Sequence, residues 1–153
     1  MSRQIMKRAE LESLAAATGP DVEIIGEDPY CAMLVEQKVL LTLLRRIKDG
    51  EEYRFDLLSN LTAVEYPEYF EVVYHLYSRA LRKLATVKTR SAKEKAEVVS
   101  VTGIWPGADF QEREVYDLLG ISFTGHPNLR RILLPEDFNG HPLRKEFKAV
   151  SRG

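Results

Sequence analysis

The chain has 153 residues, with 22 Lys and Arg against 23 Asp and Glu and a formal net charge of -1, so it can bury one hydrophobic core without a disulfide or metal staple. A near-neutral balance argues against nucleic acid as a main partner, because neutralising phosphates needs a basic face. The single cysteine, Cys31, excludes an intrachain disulfide and the usual four-thiolate ligation of an iron-sulfur cluster.

Arg3, Lys7 and Arg8 lead into a mixed polar stretch rather than a signal peptide. The longest apolar block, Val39 to Leu44, is too short to span a bilayer, so any membrane association is expected to be indirect. Ile5 to Thr18 is predicted as a helix ending at Gly19-Pro20, with Ile5, Ala9, Leu11, Leu14, Ala15 and Thr18 on its apolar side. Val22 to Ile25 and Tyr30 to Val35 read as a hairpin around Gly26-Glu27-Asp28-Pro29. Glu36 to Lys48 sets Val39, Leu40, Leu43, Leu44 and Ile47 at helical spacing, with Arg45, Arg46 and Lys48 in the last turn before Gly50.

Tyr53, Phe55 and Leu57 alternate with Arg54 and Asp56, and apolar content continues to the break at Tyr66-Pro67, which predicts a third strand from Tyr53 onward. Phe70 to Tyr77 alternates and pairs as a hairpin with Leu81 to Lys88 across a turn near Ser78 to Ala80. His75 falls on the face opposite Tyr74, as a satisfied or solvated histidine. Thr89 to Glu97, rich in Lys and Arg and poor in apolar residues, reads as a solvated loop. Val98 to Val101 is a short strand leading to Trp105, read as a core plug in preference to an interface anchor.

Ala108 to Leu119 is predicted as a helix, punctuated by Pro106-Gly107 before it and closed by Gly120, with Asp109, Glu112 and Glu114 toward its positive end. Arg113 lies one turn before Asp117, so an arginine is interleaved with three carboxylates. Two readings stay open: a solvated charged face with local ion pairs, or a polar network at a contact surface. After Gly120 the periodicity stops, yet large apolar residues continue through a segment cut by Pro127, Pro135 and Pro142. This predicts an ordered extended arm lying on another surface, and hence a protein partner. The arm repeats Gly125-His126-Pro127 as Gly140-His141-Pro142, each followed by a Leu and a basic pair, Arg130-Arg131 and Arg144-Lys145. From residue 121 on, six Lys and Arg stand against three Asp and Glu, so the arm is net positive on a net negative body.

The predicted fold class is α+β, with helices on one face of a mixed, largely antiparallel sheet and an extended C-terminal arm: residues 1–120 as the body and 121–153 as the arm of the same unit. The three histidines have no metal-ligand spacing, and no glycine-rich phosphate cradle follows a strand, so no cofactor site is legible. An enzyme acting alone would draw on Glu112, Glu114 or Asp117 as acid or base with His126, but no nucleophile, metal or phosphate cradle completes such a site. An adaptor domain, with Arg130, Arg131 and Arg144 suited to bidentate contact with carboxylates, fits the residues better.

Glu112-Arg113-Glu114, Asp117-Leu118-Leu119, His126, Arg130 and Ile132-Leu133 resemble the signature of the C-type, or 30 kDa-type, subunit of respiratory complex I. The likeness extends upstream through Phe70 to Leu76 and Ser100 to Ala108, and downstream through Leu134 to Phe138 and Pro142 to Lys145. Phe110 and Phe138 stand where relatives often carry Trp, Glu65 stands where Asp is common, and the sequence after Phe147 is shorter than in some relatives, which implies a smaller wrapped surface. The resemblance implies a non-catalytic subunit of the peripheral arm on the cytoplasmic face of the cell membrane. It would bind no cofactor itself, the flavin (FMN) and iron-sulfur clusters belonging to partner subunits. Its main neighbour would be the D-type subunit, which with the B-type subunit forms the quinone site, and the complex would couple electron transfer from NADH to quinone to ion translocation. Glu112, Arg113, Glu114, Asp117, His126, Arg130, Arg131, His141, Arg144 and Lys145 would be interface or fold-locking residues, with Arg130 and Arg131 pairing with acidic groups across the interface. Similar subunits serve membrane-bound [NiFe] hydrogenases and formate hydrogenlyases, and an isolated chain could self-associate through the surface a partner normally covers.

Overall fold

A computed structural model describes residues 4–19 and 21–148; Pro20 of the expected helix stop and the arm beyond Lys148 lie outside them. In chain order the elements are β1 (Gln4–Ile5), α1 (Arg8–Thr18), β2 (Val22–Ile25), β3 (Ala32–Val35), α2 (Gln37–Asp49), β4 (Leu57–Glu65), β5 (Tyr69–Ser78), β6 (Lys83–Ala92), β7 (Glu97–Val99), α3 (Ala108–Leu119) and β8 (Ser122–Thr124). The main sheet runs β2-β3-β6-β5-β4, with β1 beside β6. Its β2–β3, β4–β5 and β5–β6 pairs are antiparallel, and β6 receives β1 and β3 in parallel. This is the α+β, mixed and largely antiparallel architecture that the sequence predicts.

The core lies on one face of that sheet. Phe70, Val72, Tyr74 and Leu76 alternate along β5, and each is fully buried. They pack in one cluster with Leu11 and Leu14 of α1, Leu40, Leu43, Leu44 and Ile47 of α2, and Val115 and Leu119 of α3. Each such side chain contributes roughly 1.5–3 kcal/mol when taken out of water. Trp105 closes the same core with 4% of its surface exposed, and its indole N–H donates to the Phe55 carbonyl at 3.3 Å. The tryptophan is a core plug. Residues that alternate with the buried set, Glu71, Val73 and His75, face the other side of the sheet.

Three expected elements differ. The first helix starts at Arg8, not Ile5, because Gln4 and Ile5 pair with Lys83 and Leu84 of β6; the Met6 N–H donates to Leu84 O at 2.8 Å, and Ile5 and Ala9 stay exposed. Tertiary pairing here overrides local helix propensity. The stretch from Tyr53 to Asp56 is not strand: it wraps the end of α2, with the Tyr53 and Arg54 N–H groups donating to Gly50 O and the Phe55 N–H to Ile47 O. Thr89 to Ala92 is not a solvated loop, since β6 continues through it. Thr89 and Ser91 are buried, and Thr89 Oγ1 donates to Val35 O at 2.8 Å. The cations that look solvated in the sequence meet buried carboxylates instead: Lys88 Nζ and Arg90 Nε lie 3.3 and 3.1 Å from Glu71, and Lys93 pairs with Glu65.

Candidate functional site

α3 is the element through which the end of the chain is organised. It starts under Trp105, whose carbonyl accepts the Ala108 N–H at 2.9 Å. It stops at Gly120, which takes a left-handed φ of 74° and donates its N–H to Tyr116 O, a conformation that costs glycine nothing. β7 before the helix and β8 after it pair in parallel, Glu97 with Ser122 through Val99 with Thr124. Ile121 and Phe123, the first apolar residues of the expected arm, therefore belong to the core.

Two carboxylates of α3 are fully buried. Glu112 receives Ser100 Oγ at 2.6 Å and the Val101 N–H at 2.8 Å, which pins the chain leaving β7 to the helix. Burial pushes its carboxyl above the ordinary glutamate value, a rise that those two hydrogen bonds only partly offset. The Tyr74 hydroxyl is buried in the core and has no hydrogen-bond partner among the described residues, and burial and the nearby Glu112 push it up as well.

Asp117 is bound more completely. Its Oδ1 accepts from Arg131 at 2.7 Å, and its Oδ2 accepts from three successive backbone N–H groups, Ile132, Leu133 and Leu134, at 3.2, 2.7 and 2.9 Å. Burial alone would raise this carboxyl, but the Arg131 hydrogen bond and the three N–H donors together outweigh it and hold the group below the ordinary aspartate value.

The last carbonyls of a helix have no partner within it; here the arm supplies them. Asp117 O meets Arg131 Nη1 at 3.1 Å and His141 Nδ1 at 3.0 Å, Leu118 O accepts the Leu143 N–H at 2.9 Å, and Leu119 O accepts from Arg144 Nε at 2.6 Å. Two cations thus sit at the negative end of the helix dipole. Arg131 also donates to Phe138 O at 3.0 Å and Gly140 O at 2.7 Å, so one guanidinium joins helix and arm. Farther along, the Lys145 N–H donates to Glu65 at 2.7 Å, and Arg144 lies 5.2 Å over the Phe70 ring.

The repeated Gly-His-Pro turns acquire a structural meaning. Gly125 and Gly140 both have positive φ, 85° and 104°, and each turn brings its histidine to one end of α3. His126 Nδ1 accepts the Asn128 N–H at 2.9 Å, which leaves Nε2 as the protonated nitrogen, 3.2 Å from Asp109 O and 2.9 Å from Asp109 Oδ1 in the first turn. His141 meets the last turn.

Of the ten residues singled out in the sequence, Glu112, Asp117 and Arg131 form the interior of this lock, and Arg113, His126, His141 and Arg144 hold its half-buried rim. Glu114, Arg130 and Lys145 have exposed side chains. The helix does not carry a solvated charged face, because Glu112 and Asp117 are sequestered and Arg113 donates to Arg130 O and Arg131 O at 3.2 Å each rather than to Asp117. Arg131, expected to pair with an acidic group across an interface, has its guanidinium, 10% exposed, engaged with Asp117 of its own chain. The arm, expected to lie on another surface, is ordered over α3 of its own chain. Sequence reasoning misses the buried carboxylates Glu65 and Glu71; the signal that could find Glu71 is a carboxylate on a buried strand with a cation, Arg90, at the facing register position, whereas Glu65 faces Phe70 and carries no such signal. On its outer side the lock leaves Phe110, Leu133 and Leu143 each 59% exposed. Among the described residues no helix is long and apolar enough to cross a membrane, and no group of side chains could hold a metal ion.

Residues 33–152 match the model of the family described as respiratory-chain NADH dehydrogenase, 30 Kd subunit. The C-type subunit of NADH-quinone oxidoreductase from Moorella thermoacetica is 44% identical over 136 residues, covering 88% of this chain and 90% of the relative; that of Roseiflexus sp. RS-1 is also 44% identical, covering 89% and 80%. Among solved structures, a chain of the membrane-bound sulfane sulfur reductase, an archaeal respiratory membrane complex, superposes with a TM-score of 0.77 at 28% identity, covering 92% of this chain and 84% of that one. A trypsin-resistant fragment of Nqo5 gives 0.56 at 29% identity, covering 78% and 96%. With the same signature residues gathered into one lock around α3, this chain belongs to the 30 kDa subunit family of respiratory-chain NADH dehydrogenases, the family of the C-type subunits of NADH-quinone oxidoreductase.

Proposed function

We propose that the chain is a non-catalytic subunit of the peripheral arm of an NADH:quinone oxidoreductase, on the cytoplasmic face of the cell membrane. It assembles with the D-type subunit of the quinone site, and through it with the B-type subunit, in a complex that couples electron transfer from NADH to quinone to ion translocation. FMN and iron-sulfur clusters belong to its partners, and this chain contributes shape and position. The observation that carries the reading is the outer side of the α3 lock: three large apolar side chains, Phe110, Leu133 and Leu143, stand more than half exposed on a backbone held by buried charge. Large apolar groups on a rigid support mark a contact surface. Glu114 and Arg130, exposed beside them, give that surface its charged rim.

The likeness to a sulfane sulfur reductase chain supports a second reading, in which the complex is a sister assembly fed by another donor. One experiment separates these. The tagged chain is purified from its native membranes at low detergent and the accompanying chains are identified by mass spectrometry. Flavin- and NADH-binding subunits together with the D-type subunit are expected; a large subunit of a hydrogenase or sulfur reductase supports the sister assembly, and a chain that purifies alone overturns both. A Leu133→Glu, Leu143→Glu double variant should keep its circular dichroism and lose its companions.

A further inference from the structure

The two buried carboxylates of α3 differ in what faces them. Asp117 is paired with Arg131, whereas among the described residues no Lys or Arg pairs with Glu112. A carboxylate held out of water without a cation is costly as an anion, and binding a proton removes that cost. Burial accordingly holds Glu112 above the ordinary glutamate value. The titratable groups around it come from three directions. From β5 the Tyr74 hydroxyl lies nearby; from the turn after β8 His126 favours the ionised form, and Asp109, one turn earlier on α3, opposes it. His126 Nε2 is itself turned to Asp109 Oδ1, at 2.9 Å.

The hydroxyls beside Glu112 fit either state of the carboxyl. Ser100 Oγ, buried, lies 2.6 Å from Glu112 Oε1 and 2.9 Å from Thr102 Oγ1, and it accepts the Thr102 N–H at 3.2 Å. Thr102 is half-buried, so this line of oxygens runs from the interior to the edge of the protein. A hydroxyl donates once and accepts twice, which gives the line two complete arrangements. With Glu112 ionised, Thr102 Oγ1–H donates to Ser100 and Ser100 donates to Oε1. With Glu112 protonated, Oε1–H donates to Ser100 and Ser100 donates to Thr102 Oγ1. In both, Ser100 Oγ makes one donated and two accepted bonds, and Oε2 keeps the Val101 N–H at 2.8 Å. Asp117 has no such choice, because its partners are a guanidinium and three backbone N–H groups, which only donate.

We infer that Glu112 is a proton-binding site, filled and emptied through the hydroxyls of Ser100 and Thr102. On uptake Ser100 passes its hydroxyl proton to Oε1, Thr102 passes its own to Ser100 Oγ, and a proton from solvent replaces it on Thr102 Oγ1. Release runs the same shifts backward. One proton is bound, one negative charge leaves the interior, and every hydrogen bond survives with its direction reversed. The field at the start of α3 therefore follows pH while the shape of the lock does not. This goes beyond the role in assembly proposed above and does not depend on it.

The test uses the full chain with isotope-labelled glutamate, its infrared spectrum followed against pH. A protonated-carboxyl stretch is expected that persists above the ordinary glutamate value and is missing from Glu112→Gln, whose amide can donate to Ser100 and accept from Val101 as the protonated acid does. The hydroxyl line is probed at its outer end. In Thr102→Val the Ser100 hydroxyl loses its acceptor when Glu112 is protonated, whereas with Glu112 ionised it loses only one of the two bonds it accepts. An unmade donor is the costlier of the two. The midpoint of the band should therefore fall toward the ordinary glutamate value in Thr102→Val and stay in place in Thr102→Ser. A Glu112 that titrates at or below the ordinary value overturns the inference, as does a midpoint that Thr102→Val leaves unchanged or raises, or that moves equally in Thr102→Ser. Thr102 is half-buried and its replacement keeps Glu112, so this measurement decides the matter even where Glu112→Gln fails to fold.

Discussion

Asp117 accepts four hydrogen bonds, one from Arg131 and three from consecutive backbone N–H groups, and the last three cannot be read from residue identity at positions 132 to 134, because the donors are main-chain. The sequence places Asp117 beside Arg113 and suggests a helical ion pair; the structure commits both groups to the arm instead. Replacing Asp117 with Asn should cost about 3 kcal/mol in urea denaturation, because it removes the charge from a buried, hydrogen-bonded pair and turns an amide N–H toward donors. The folded carboxyl titrates below the unfolded value, so its contribution is complete above that value and is lost as pH falls through the folded one. The Asn variant should lack this part of the acid sensitivity. Glu112 behaves oppositely. Its folded value is raised, so its favourable term is present at low pH and lost as pH rises through the folded value. Glu112→Gln should flatten that dependence at little cost, whereas Glu112→Ala, which strands the Val101 N–H and takes from Ser100 Oγ its bond to the carboxylate, should cost about 2–3 kcal/mol.

Among the elements, α3 is the most legible. Both its ends follow from Gly107 and Gly120, and the observed bounds agree with the predicted ones. α2 and the β2–β3 and β5–β6 hairpins are nearly as clear, because a single apolar period runs through each. Two of the failures share a cause, since β1 and the second half of β6 owe their conformation to partners far along the chain, whereas the turn before β4 is fastened to Ile47 and Gly50 at the end of α2. Cationic residues in β6 alternate with buried Thr89 and Ser91, a period-two pattern that charge content masks. At the helix end a stronger prediction is available. A Cβ at Gly120 would stand 2.6 Å from the His141 ring and 2.8 Å from the Arg144 guanidinium, besides the left-handed φ. Gly120→Ala should therefore lose about 1 kcal/mol from backbone strain and loosen the arm as well. Limited trypsin digestion should cut the variant after Arg130 or Arg131 well before it cuts the parent chain.

The whole molecule has two sides that differ in kind. One carries the α3 lock with apolar side chains raised on it; the other is a sheet face that no described helix covers. The family signature in the sequence centres on the first side and reaches the second only through Glu71, Val73 and His75 within Phe70 to Leu76, since the other residues of that face come from β1, the β2–β3 turn, β4 and β6 and form no contiguous motif. The apolar groups on the lock, left without a partner, favour self-association of the isolated chain. Sedimentation at rising concentration should show a reversible shift toward dimer, and Leu143→Glu should abolish it; a chain that stays monomeric through the range would refute the expectation.

The parallel pairing of β7 with β8 also fixes an order of events. Everything that closes the end of α3 lies beyond Thr124 in the chain, while the sheet, the core and the β7–α3–β8 unit are complete before it. A ribosome that has released residues up to 124 therefore holds a nearly finished domain whose helix still shows bare carbonyls, and the arm is fastened last, ending with the link from Lys145 back to Glu65. Chains arrested with their exit point just before Arg131 should be cut by protease around the end of α3, and chains arrested beyond Lys145 should resist.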